Sequence, residues 1–253
     1  MLKFYDNSNL ILCVKPTLKI SCDHYLKISL CILGILFSFS GTSFSQNITS
    51  GLVGFWQFEN NYSNSTVNTN DAIAHGNPQF RGEPSNCGTH VLELDGAGDY
   101  LTIPHINSYA LGTGAFTIAM RIKYSLEQPY LSPDGYSSLF DKSDITICSG
   151  SPNGIKMLLD YEPTGSEGRV QGRTTVNNTI NSDGTPYLRD GLWHCVVYTR
   201  TPDVNGTTCT MRLYIDGFLE TITTLVPLDN VSNGTSIYIG ANACYPTTEN
   251  YQG

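Results

Sequence analysis

A chain of 253 residues, 40% apolar and only 14% charged, carries enough hydrophobic material for one large core, and its abundance of Gly, Asn, Ser, Thr and Tyr suits turns and strands. Lys and Arg number 14 against 22 Asp and Glu, a formal charge of −8. That balance excludes nucleic acid as a partner, because phosphate binding needs clustered cations and these are scattered; divalent cations or neutral sugars suit an acidic surface better.

The chain opens with Lys3, Lys15, Lys19 and Lys27, followed by the apolar run Ile28–Phe39 and the small-residue stretch Ser43-Phe44-Ser45. This order predicts a signal peptide or signal-anchor over residues 1–45, longer than the usual ~15–30 residues, and a secreted or cell-surface domain over 46–253. The run holds 12 residues, whereas a spanning helix needs about 20, so no membrane span is expected in the mature chain. Beyond residue 45, ten Lys and Arg face twenty Asp and Glu.

From Gly51 onward, strand patterns recur between turn signals. Gly51–Glu59, His90–Leu94 and Tyr100–Ile103 are the first expected strands. Phe116, Ile118, Met120, Ile122 and Tyr124 then alternate with Thr117, Ala119, Arg121 and Lys123, giving the most plainly two-faced strand. Further expected strands are Ser138–Asp141, Gly154–Tyr161, Val170–Thr175, Leu192–Arg200, Thr208–Ile215, Phe218–Thr224 and Ser236–Gly240. Asp-Gly or Asn-Gly pairs stand between them at 95–96, 134–135, 153–154, 183–184, 190–191, 205–206, 216–217 and 233–234. Such pairs tolerate the positive φ of tight turns. Eleven strands in about 200 residues predict an all-β, antiparallel fold in one domain, with Asn60–Asn70 as a surface loop.

Cys13, Cys22 and Cys31 lie in the leader; Cys87, Cys148, Cys195, Cys209 and Cys244 lie in the mature part. Export would expose the second group to an oxidising compartment. Spacing leaves the connectivity open, and Cys195–Cys209, on two strands joined by a short loop, is the expected first bridge. No Cys or Cys/His spacing suggests zinc.

Seven segments in order carry a resemblance: Gly54-Phe55-Trp56-Gln57-Phe58-Glu59; Leu94-Asp95-Gly96 with Asp99-Tyr100-Leu101-Thr102-Ile103-Pro104; Phe116-Thr117-Ile118-Ala119; Leu139-Phe140-Asp141-Lys142; Asp190-Gly191-Leu192-Trp193-His194; Leu213-Tyr214-Ile215-Asp216-Gly217; and Ile237-Tyr238-Ile239-Gly240. Together they resemble LamG-like jelly-roll domains of the concanavalin A-like lectin/glucanase superfamily. The resemblance implies a two-sheet sandwich that binds glycans or extracellular proteins, often through Ca²⁺, as an adhesion or accessory module. It also implies a closing strand after an aromatic-x-Gly, so this chain, ending at Tyr251-Gln252-Gly253, is expected to be a fragment lacking that strand.

A glucanase of this superfamily needs alternating carboxylates on one strand. Only Glu93-Leu94-Asp95 comes near, and the third acid is missing, so no catalytic residue is expected and the chain reads as a binder rather than an enzyme; a hydrolase or lyase, or a structural spacer in an adhesin, are the alternatives. Asp95 and Asp99 flank a glycine-rich turn with free carbonyls and could begin the six-to-eight-oxygen shell that calcium takes; a plain turn and strand start account for them as well. Trp56 and Trp193 are expected in the core, and His194 is expected to satisfy a local hydrogen bond. Tyr130, Tyr136, Tyr187 and Tyr245 are candidates for stacking on sugar rings. Asn47, Asn61, Asn64, Asn177, Asn205, Asn230 and Asn233 head Asn-x-Ser/Thr sequons, glycan acceptors in a eukaryote and polar loops in a bacterium.

Overall fold

The computed structural model describes residues 2–5, 50–85, 88–124, 135–148, 153–160, 168–174, 178–182, 188–247 and 250–253. Fifteen strands run through them: β1 Leu2–Tyr5, β2 Leu52–Trp56, β3 Ile73–His75, β4 Gln79–Ser85, β5 Gly88–Glu93, β6 Tyr100–Ile103, β7 Phe116–Lys123, β8 Tyr136–Ser143, β9 Gly154–Asp160, β10 Arg169–Thr174, β11 Asn178–Asn181, β12 Trp193–Pro202, β13 Thr208–Ile215, β14 Phe218–Pro227 and β15 Ile237–Ile239. All eleven expected strands are present. The four additional ones are β1, β3, β4 and β11, whose polar or very short sequences carry no period-2 signal.

The strands form a six-stranded sheet, ordered β14-β13-β12-β7-β1-β2, a seven-stranded sheet, ordered β11-β10-β9-β8-β15-β6-β3, and the separate hairpin β4-β5. Every pairing is antiparallel. The two large sheets bury one continuous core that includes Trp56, Leu101, Ile103, Phe116, Ile118, Phe140, Met157, Val196, Tyr198, Leu213 and Ile237. This is the expected jelly-roll sandwich. Among the described residues no helix is long and apolar enough to cross a membrane.

Alternation decides what each strand buries. Phe116, Ile118, Met120 and Ile122 of β7 face inward, and their cross-strand partners on β12 are Arg200, Tyr198, Val196 and His194. Trp193 pairs with Lys123, on the opposite face. Trp56 is fully buried as expected, but Trp193 is only partly buried. It lies outside the core, its ring under the Arg121 guanidinium at 5.0 Å and its Nε1 donating to Glu83 at 3.0 Å. His194 Nδ1 and Nε2 reach Asp216 (2.9 Å) and Asp190 (3.0 Å), tying two Asp-Gly turns together in the local role expected of it. At one of those turns Asp216 (φ 51°) and Gly217 (φ 88°) take the left-handed conformations that a two-residue hairpin requires.

Two buried cations fix loops at the sandwich end. Arg200, with no exposed surface, donates from Nε to Gly114 O (3.1 Å), from Nη1 to Asp229 O (3.0 Å) and from Nη2 to Gly112 O (2.9 Å) and Gly114 O (2.7 Å). Lys142, 1% exposed, donates from Nζ to Thr235 O (2.8 Å), Asn233 Oδ1 (3.1 Å) and Asn233 O (3.2 Å). Burial pushes the Lys142 ammonium down to about 8 from 10.5. Between those values the unfolded chain holds a proton that the folded chain has released, so this group's contribution to stability rises as pH climbs from about 8 to 10.5. We expect urea midpoints to increase by an amount equivalent to roughly 2–3 kcal/mol across that window relative to Lys142→Met, which lacks the titration. A parallel pH profile for the two proteins would contradict this.

Candidate functional site

The outer face of the seven-stranded sheet gathers side chains from strands far apart in sequence. Leu101, Ile103, Ile237 and Ile239 point into the core, so Tyr100 and Thr102 on β6 and Tyr238 on β15 point out. His75 of β3 pairs with Tyr100, and the two rings stack at 4.4 Å with planes 6° apart. Tyr100 in turn stacks on Tyr238 at 5.9 Å and 18°. The result is a platform of three near-parallel rings, each partly exposed. His75 Nε2 lies 2.8 Å from Thr102 Oγ1, which fixes its ring plane.

Polar groups continue the same row. Tyr238 is registered with Asp141, Asp141 with Lys156, and Lys156 with Arg173. Asp141 is fully buried: its oxygens accept from Ser143 N (2.8 Å), Ala243 N (2.9 Å) and Lys156 Nζ (3.0 Å). It therefore positions Lys156 and the 241–245 loop rather than facing solvent. Arg173 lies 5.0 Å over the Tyr136 ring and donates from Nε to Gln171, whose Nε2 donates to Asn181 Oδ1 at 2.6 Å. Burial raises the Tyr238 hydroxyl, aided by Tyr100 and the Asp141 carboxylate, so it stays a neutral donor at physiological pH. The face thus offers the edges of a stacked aromatic row and a fringe of amide and cationic donors.

The loop beside Asp141 is held by the Cys148–Cys244 disulfide. This corrects the expected Cys195–Cys209 bridge: Cys209 is a buried free thiol, and Cys195, though disulfide-bonded, is not bonded to it. The residues sit on neighbouring strands, but Cys209 is registered with Pro202 while Cys195 is registered with Arg121 across the other side. The alternation of β12 turns Cys195 outward, whereas Cys209 belongs to the core.

Asp95 and Asp99 are neighbours on the glycine-rich turn. Asp99, 5% exposed, accepts Asn77 N at 2.6 Å and Asp95 N at 3.3 Å. Asp95 Oδ1 accepts Ala97 N at 2.7 Å. Three of their four oxygens accept backbone N–H groups, as a turn requires. Among the described residues no three His, Cys, Asp or Glu side chains are grouped to hold a metal. Asp99→Ala should cost about 2–3 kcal/mol, because two backbone amides lose their acceptor, and a fall of the melting midpoint by more than about 1 °C in EDTA would assign calcium to the turn. Calorimetry on both samples checks this.

Of the tyrosines singled out from loops, Tyr130 and Tyr187 lie outside the described residues. Tyr136 belongs to β8 under Arg173, and Tyr245 is 51% exposed on the disulfide-held loop, its hydroxyl donating to Cys148 O at 3.4 Å. Glu93 is spent on Arg81 at 2.5 Å. Asn64 and Asn233 use their side chains inside the fold, whereas Asn61, Asn205 and Asn230 are exposed; Asn47 and Asn177 lie outside the described residues. The platform residues His75, Tyr100 and Tyr238 were not among the sequence candidates. Alternation turned both tyrosines outward, but only the pairing of β15 with β6 placed them side by side.

Residues 95–253 match the family model of the concanavalin A-like lectin/glucanases superfamily. The chain belongs to that superfamily. No curated protein matches its sequence. Among solved members of similar fold, the binding domain of Paraclostridial Mosquitocidal Protein 1 is 15% identical with a TM-score of 0.51 over 70% of this chain and 41% of that one. This chain thus spans less than half of that toxin domain. Domain 4 of AbnA, an extracellular arabinanase from Geobacillus stearothermophilus solved with arabinotriose, is 14% identical with a TM-score of 0.49 over 77% of this chain and 83% of that one. An endo-beta-1,4-glucuronan lyase from Trichoderma reesei is 12% identical with a TM-score of 0.37 over 67% and 75%. At such identities the likeness is one of fold, which the superfamily shares between binding domains and carbohydrate-active enzymes.

Proposed function

We propose that this chain is an extracellular glycan-binding module that holds its ligand on the outer face of the seven-stranded sheet. The observation that carries the reading is the stack of His75, Tyr100 and Tyr238 beside Lys156 and Arg173. Stacked on one another, these partly exposed rings offer ring edges and two hydroxyls to a sugar's CH and OH groups, and the surrounding donors match its other hydroxyls; few polar groups around an aromatic surface is the usual composition of a small-ligand site. The Cys148–Cys244 bridge and the bonded Cys195 support an oxidising, extracellular setting. The acidic remainder of the molecule suits a neutral or locally complemented sugar better than a polyanion.

The test is a glycan array followed by titration calorimetry on the full chain. Tyr100→Ala and Tyr238→Ala should each weaken the best array hit about tenfold, as expected for ~1–1.5 kcal/mol of stacking per ring, with circular dichroism unchanged. Wild-type affinity in both variants, or an array blank for the wild type, would reject the site. Release of reducing ends from a bound glycan would instead assign the face to a hydrolase.

A further inference from the structure

In a chain of formal charge −8, the outer face of the seven-stranded sheet carries a surplus positive charge. The charged residues of its strands are Asp141, Lys142, Lys156, Asp160, Arg169 and Arg173, and Lys142 is buried and held by Asn233 and Thr235. The remaining three cations meet two carboxylates, both committed: Asp141 holds Lys156 at 3.0 Å, and Asp160 holds Arg169 at 3.4 Å. Arg173 is the cation left over. It is also oriented. Its Nε donates to Gln171 Oε1, Gln171 Nε2 donates to Asn181 Oδ1 at 2.6 Å, and its Cζ stands 5.0 Å over the Tyr136 ring. An amide at one edge and an aromatic face below fix the guanidinium plane. Among the described residues Nη1 and Nη2 meet no acceptor, and Arg173 is partly exposed. A guanidinium held in this way, with its terminal nitrogens open, is a fork for two oxygens in one plane.

We propose that Arg173 is a carboxylate subsite, so that the ligand of this face is an acidic oligosaccharide bearing a uronic or sialic acid residue. The inference rests on the glycan reading above and adds the ligand's charge to it. Lys156 is the poorer candidate, because Asp141 already neutralises it and its side chain is 15% exposed. Tyr238, Asp141, Lys156 and Arg173 are successive ladder partners, which sets the Cα atoms of Tyr238 and Arg173 three strand spacings, roughly 14 Å, apart. That distance calls for an oligosaccharide rather than a single sugar, one that passes the 241–245 loop where Ala243 N bonds Asp141. One surplus charge takes one carboxylate; a densely charged chain would be repelled by the acidic remainder of the molecule.

The test places the full chain on an array where uronic- and sialic-acid oligosaccharides stand beside counterparts whose carboxylate has been reduced to a primary alcohol, with titration calorimetry on the best pair. The acidic member should bind about tenfold tighter or better, as a bidentate charge-assisted pair supplies. Arg173→Met keeps an unbranched stem and removes the fork; it should abolish the preference and leave the affinity for the reduced member unchanged. Arg173→Lys should recover only part of the preference, since it restores the charge without the fork. Tyr238→Ala should weaken both members alike. Equal binding of the two members by the wild type, an undiminished preference in Arg173→Met, or tighter binding of sulfated neutral oligosaccharides would overturn the carboxylate subsite, while tyrosine variants that still weaken both members would leave the platform reading in place. An array blank for every acidic and reduced glycan would overturn both.

Discussion

Arg200→Ala should be among the most destabilising single substitutions in this protein, costing about 3–5 kcal/mol, because the guanidinium satisfies three main-chain carbonyls from a position with no exposed surface. Removal takes both guanidinium donors from Gly114 O, leaves Gly112 O with Val231 N at 3.0 Å, takes the Nη1 donor from Asp229 O, and opens a cavity over the Phe116 ring, which the guanidinium covers at 4.9 Å. With roughly 2–4 °C per kcal/mol for a domain of this size, the midpoint should fall by about 6–20 °C. Arg200→Lys should lose less: it retains the charge but not the fork that bonds residues 112, 114 and 229 at once. Differential scanning calorimetry of the three proteins decides this, and equal midpoints for Arg200→Ala and wild type would show that the loops are held by other contacts.

Removing the Cys148–Cys244 bridge should have an effect of similar size by a different route. The two cysteines are separated by 96 positions, and a closed loop of that length restrains the unfolded chain by about 4–5 kcal/mol in the chain-entropy account. Cys148→Ser/Cys244→Ser leaves the Cys195 bond intact, which reductant would not. The same substitution frees the 241–245 loop whose Ala243 N bonds Asp141 behind Lys156. Glycan affinity should therefore drop together with stability. Loss of stability with unchanged affinity would mean that the loop walls the platform without shaping it.

The strands were legible because their side chains carry the period of the pleat. Phe116 to Lys123 could be assigned to two faces from the sequence; the structure seats Phe116, Ile118, Met120 and Ile122 in the core, but on the other face Thr117 and Ala119 are buried as well and only Arg121 and Lys123 are partly exposed. Turn chemistry was equally local: Asp216-Gly217 adopts positive φ at both positions because those residue types permit it. Trp193 shows where the reading stopped. Its apolar bulk argued for the core, but alternation against His194, held by Asp190 and Asp216, sends it to the outer face. The disulfide was missed for a related reason, since Cys148 and Cys244 lie in two connections that sequence spacing does not link.

What the sequence determined by itself was the all-β class, the position of eleven strands and the alternation of Phe116 to Lys123 between two faces. These follow from forces acting within a few residues, namely side-chain period and backbone φ preference. Strand order was decided only by the tertiary structure, because it depends on which hydrophobic faces meet across long separations. That order put Tyr238 beside Tyr100 and joined Cys148 to Cys244, so the candidate surface is a product of packing.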